Sequence, residues 1–127
     1  MVSPERFREI LDDIIDELPK DLLIDLNGGI LLREEEKLHP ESVGEELYIM
    51  GEYHVERIMG RFILLYYGSF AHIYGHLAED SLRVKIRKTL LHEIRHHLES
   101  LAGEKDLEVE DAVQIARYKE KKQNEER

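Results

Sequence analysis

Residues 81–103 carry an unbroken helical pattern, with no proline and no glycine before the last position. Ile86, Leu90, Ile94, Leu98 and Leu101 recur at helical spacing and form one apolar stripe. A long helix with such a stripe must lay it against the rest of the chain, which therefore has to provide a packing surface. Asp80 or Ser81 is the expected N-cap, and Gly103 the expected residue just past the end. Roughly opposite the stripe stands His92-Glu93-Ile94-Arg95-His96, an HExxH sequence. Histidines four apart on a helix lie about 40° apart around its axis, so both imidazoles can reach one zinc ion. The glutamate that follows the first histidine then stands beside the metal without ligating it, placed to take a proton from metal-bound water. The same spacing also suits three solvated histidines, His92, His96 and His97, on a polar helix face.

The segments before this helix alternate in character. Ser3 followed by Pro4 is a helix start. Phe7, Ile10, Leu11, Ile14, Ile15 and Leu18 continue it at helical spacing until Pro19 stops the pattern. Residues 22–26 and 30–32 are apolar runs flanking Asn27-Gly28-Gly29, which reads as a β-hairpin. Further strands are expected around 46–50 and 61–67, with Gly51, Gly60 and Gly68 as punctuation. Glu34-Glu35-Glu36 reads as a solvated strand end or loop. His72 and His76 fall in what reads as a strand end and turn, and His39 and His54 as loop residues. Arg83, Lys85, Arg87 and Lys88 read as a solvated basic face balancing acidic neighbours. A second helix is expected over residues 108–119, followed by a charged, frayed tail over 121–127. The order helix, strands, helix, helix predicts an α+β domain with a small mixed or antiparallel sheet.

Composition narrows the chemistry. The chain has 127 residues, enough for one domain, and a net charge of −10 from 28 acidic and 18 basic side chains. A field of that sign argues against nucleic acid or an anionic membrane as the main partner. No apolar run is long enough to span a bilayer, and the first residues have no signal-peptide core. A soluble, cytoplasmic protein is the expectation. There is no cysteine, so a transition metal would have to sit on histidine and carboxylate ligands.

Leu64-Leu65-Tyr66-Tyr67-Gly68, followed at a short distance by His92-Glu93-Ile94-Arg95-His96-His97, resembles the small bacterial zincin-like metallopeptidases. The resemblance covers roughly residues 46–118. It implies a minimal zincin-like fold over residues 1–120, with a small sheet packed on the active-site helix. It also implies zinc as the cofactor, His92 and His96 as ligands, and Glu93 as general base. The family turns the chain with a glycine two residues after the paired histidines. Here that position is Glu99, and the family's downstream aspartate has no ungapped counterpart.

A catalytic zinc takes three protein ligands and a water. Glu99 lies seven residues beyond His92, about 10.5 Å along the axis, too far for a straight helix to bring both to one ion. A chain reversal at Gly103 would return the acidic start of the second helix, so Glu110 is the expected third ligand, with Asp111 next and Asp106 a cap or further candidate. Tyr118 and His97 are candidates for the oxyanion donor. The expected function is zinc-dependent hydrolysis of a peptide or protein, with the substrate strand adding to a sheet edge near residues 61–67. The competing expectation is a catalytically silent binding or regulatory module on the same scaffold.

Overall fold

A computed structural model of the chain describes residues 1–44 and 47–103. By packing the chain divides into two compact units, Met1–Ile94 and Arg95–Arg127. Within the first unit the order is α1 (Pro4–Glu17), a 3-10 turn (Lys20–Leu23), β1 (Gly29–Arg33), β2 (Gly51–Glu56), β3 (Gly60–Tyr66) and α2 (Tyr67–Tyr74). The final helix, α3 (Glu79–Gly103), runs through the unit boundary, and its residues 95–103 are the described part of the second unit. The fold is α+β, as the element order predicts.

Helix α1 follows its sequence signals. The Ser3 side chain accepts a hydrogen bond from the Arg6 amide at 3.1 Å, and Phe7, Ile10, Leu11 and Ile14 form the buried face. Ion pairs join α1 to α3: Arg6 with Glu79, Arg83 with Asp13 at 3.7 Å and Arg87 with Glu17 at 3.5 Å. The basic start of α3 thus balances the acidic flank of α1. Helix α3 begins at Glu79, two residues before Ser81, and its first bond runs from the Leu82 amide to the Ala78 carbonyl at 2.9 Å. Asp80 and Ser81 are therefore inside the first turn. Glu79 and Asp80 there meet the positive end of the helix dipole.

The sheet corrects three expectations. Its strand order is β1-β3-β2, with β1 parallel and β2 antiparallel to β3. Residues 22–32 form no hairpin. The chain turns at Asn27-Gly28, but from a 3-10 turn into β1, whose partner β3 lies some thirty residues on. Gly28 serves close approach: its amide donates to the Arg61 carbonyl at 2.8 Å, and an added Cβ would stand 2.7 Å from Phe62 Cβ. The positive φ of 77° that the turn needs falls on Gly29.

The strand expected at 46–50 lies instead at Gly51–Glu56. Gly51 is its first residue and not punctuation, because a Cβ there would meet Leu65 Cδ2 at 2.9 Å and Thr89 Cγ2 at 3.0 Å. Glycine lets α3 pass close beneath the sheet at this point. The tip joining β2 to β3 is residues 57–59, closed by Gly60 at φ 74°. His54 consequently sits on β2 and not in a loop.

The third correction concerns the open edge. Strand β3 is central, paired on both sides, and buried along residues 61–66. No substrate strand can add to it. The outer edges of the described sheet belong to β1 and β2.

Residues 67–74 form α2, against the expectation of a strand end and turn. Phe70 is fully buried and meets the Phe7 ring edge-on at 5.2 Å, so packing against α1 overrides the β propensity of the aromatic run. His72 lies on this helix and His76 beyond its end.

Candidate metal centre

The two faces of the sheet carry different chemistry. Ile63 and Leu65 face α3, which approaches at Thr89. Phe62, Leu64 and Tyr66 face the other way, with Leu31 and Ile49 packed on them. On this second face Glu52 is the hub of a polar cluster. Its Oε1 accepts from the Tyr66 hydroxyl at 2.5 Å and lies 3.2 Å from His54 Nε2, and its Oε2 accepts from Lys37 Nζ at 2.7 Å. Burial pushes the Glu52 carboxyl up, but the bonds from Lys37, Tyr66 and His54 outweigh it and hold the group at about 2. Burial and the neighbouring Glu52 charge raise the Tyr66 phenol. The cluster ties β2, β3 and the segment at Lys37 together. Nothing in the sequence pattern singled it out, because its members are far apart in the chain.

Helix α3 holds the HExxH residues in a continuous helical stretch. His92 and His96 are exposed, as the stripe argument expects. Ile86, Leu90 and Ile94 are buried, whereas Leu98 and Leu101 are only partly so. The buried side also takes in Leu82, Glu93 at 7% exposure and His97 at 0%. A hydrophobicity pattern passes over Glu93 and His97 because they are polar. Their positions give them away, since 82, 86, 90, 93 and 97 follow one helical face. No buried side-chain nitrogen or oxygen among the described residues lacks a hydrogen-bond partner.

Glu99 is half-buried, with its carboxylate 3.8 Å from Arg95 Nε one turn earlier. Among the described residues no group of three histidine or acidic side chains is placed to hold one ion. Glu110, Asp111, Asp106 and Tyr118, together with the expected second helix and the tail, lie outside the described residues. The partners of His72 are elsewhere on the surface: its Nδ1 is 3.4 Å from Glu36 Oε2, and its ring lies tilted against that of Tyr48, centroids 4.3 Å apart. Among the described residues no helix is long and apolar enough to cross a membrane.

The family model for zincin-like metallopeptidases matches residues 32–115. A solved structure of a conserved hypothetical protein from Thermo thermophilus is similar, with a TM-score of 0.68 and 34% identity. The match covers 80% of this chain and 98% of that one. No curated protein shows a significant match. The matched span takes in all of β2, β3, α2 and α3, and the chain belongs to the zincin-like metallopeptidase family.

Proposed function

We propose that the protein is a zinc-dependent peptidase that cleaves extended peptide segments. The observation that carries this reading is the segregation of the HExxH residues on α3: both histidines exposed, and the glutamate between them nearly buried. Two imidazoles suit zinc, and the chain has no thiolate to compete. His92 and His96 would hold the ion, with Glu110 as the third ligand. A bound zinc would polarise the scissile carbonyl and acidify the attacking water.

Glu93 takes the proton of that water and delivers it to the leaving amine. Its low exposure keeps solvent from competing for the carboxylate, while the helix holds the side chain next to the ligand positions. The substrate strand adds to β2, not β3. The Tyr66 amide donates to the Met50 carbonyl at 2.9 Å, so the antiparallel alternation turns the backbone groups of Gly51, Tyr53 and Val55 outward. Gly51 lies against Thr89, one turn before His92 and Glu93. An added strand is thereby brought alongside the start of the motif.

A second reading, a silent binding module, draws on Glu99 standing where the family has its turn glycine. Hydrolysis of a peptide library decides between the two. Wild type should cut at least some sequences. Glu93→Gln should retain metal and lose about 10²- to 10⁴-fold in rate, the usual contribution of a positioned proton acceptor. Equal cleavage by both proteins would remove Glu93 from the mechanism, and no cleavage by either would favour the binding module.

A further inference from the structure

Among the described residues the sheet has a second outer edge, on β1, remote in strand order from the edge assigned to substrate. In a parallel pair alternate residues of β1 face β3, and the others turn away. Arg8 Nη1 reaches from α1 to donate to the Ile30 carbonyl at 3.3 Å. This identifies Ile30, and with it Leu32, as the outward pair. No other described group bonds their outward amides or the Leu32 carbonyl.

Beside this edge runs an open groove of about 560 Å³, lined by Pro4, Glu5 and Arg8 of α1, by the β1 residues Ile30, Leu31 and Leu32, and by Glu34. A volume of that order is typical of ligand clefts. The interior of β1, Ile30 to Leu32, carries none of the charges, prolines or bulges that usually protect an exposed edge. The charges of the groove are unbalanced. Arg8 is committed, to Asp12 at 3.1 Å and to the Ile30 carbonyl. Glu5 and Glu34 have no cation paired with them among the described residues; burial first, and then both of their charges, push up the phenol of Tyr67, whose hydroxyl donates to the Val2 carbonyl.

We propose that the outer edge of β1 takes an extended cationic peptide segment of another protein as an added strand, with its lysine or arginine side chains between Glu5 and Glu34. Backbone bonds to the Ile30 and Leu32 amides and to the Leu32 carbonyl provide the register, Arg8 keeping the Ile30 carbonyl, and the two carboxylates select the charge. A second copy of this chain is a poor occupant. It carries the same carboxylates and a net charge of −10, so edge-to-edge pairing sets like charges against each other.

The test is an amide NMR titration of the full chain as Glu93→Gln, so that no peptide is consumed, with a capped peptide of alternating lysine and valine. Saturable shifts and slowed exchange at the Ile30 and Leu32 amides are expected. Glu5→Gln/Glu34→Gln should weaken binding about three- to tenfold, as suits solvent-exposed charge pairs. Equal binding of a glutamate–valine peptide overturns the proposal, as does a response confined to Gly51, Tyr53 and Val55, or none at all. Ile30 and Leu32 amides already protected in the peptide-free chain would also overturn it, since another part of the chain or a second copy would then hold the edge.

Discussion

Replacing Glu52 by glutamine should destabilise the fold at neutral pH and leave it almost unchanged in strong acid. The wild-type carboxylate takes hydrogen bonds on both oxygens, from Tyr66 and His54 on one and from Lys37 on the other. A glutamine amide retains one acceptor and turns an NH₂ group toward another donor, so at least one bond is lost. The carboxyl lies at about 2 where 4.5 is ordinary. At about 1.4 kcal/mol per pH unit, that difference bounds its contribution at about 3 kcal/mol.

Two of the partners lie partly in water: the side chains of Lys37 and His54 are 41% and 37% exposed. Solvent screening reduces the figure to about 1–2 kcal/mol. At about 4 °C per kcal/mol for a domain of this size, the melting temperature should fall by about 4–8 °C at pH 7.

A depressed carboxyl pKa stabilises the fold above the ordinary carboxylate range, and the contribution disappears as the pH falls from about 5 to about 2. Circular dichroism melts of both proteins across that interval should therefore converge. Parallel curves with a constant gap would show that Glu52 acts through shape and not charge, and would refute the reasoning.

Two further outcomes test other parts of the account. Gly68→Ala should cost about 1–3 kcal/mol in denaturant unfolding: alanine gains about 1 kcal/mol in helix propensity, but its Cβ would lie 2.6 Å from the Glu35 carbonyl carbon, against backbone that cannot swing aside. Among single alanine variants at 99, 106, 110 and 111, titrated with zinc against a chelator, the Glu110 variant should lose most affinity, and a loss confined to Glu99 would refute its assignment.

The parts of the fold that were legible in the sequence are those whose signals are local. Ser3-Pro4 and Pro19 bracket α1, and the stripe from Ile86 to Ile94 marks α3, because capping and periodicity act within a few residues. The parallel pairing of β1 with β3 was not legible. An Asn-Gly turn favours a tight reversal, but the partner of Ile30 was decided by Gly28 packing on Phe62 far along the chain. The run from Tyr67 reads as a strand end and turn and folds as helix because Phe70 has Phe7 to pack on. Gly51 reads as a break and is instead the point of close passage between helix and strand. At the candidate site the spacing of His92, Glu93 and His96 was visible at once. The burial of Glu93 and His97 was not, because hydropathy ranks both with the solvated residues.

The measurement that tests the central claim most directly is the zinc content of the full chain, purified without a histidine tag or chelator and read by native mass spectrometry after zinc dialysis. The account predicts about one zinc per chain in wild type and in Glu93→Gln, and none in His92→Ala/His96→Ala. Zinc retained by the double histidine variant, or absent from wild type, would contradict it.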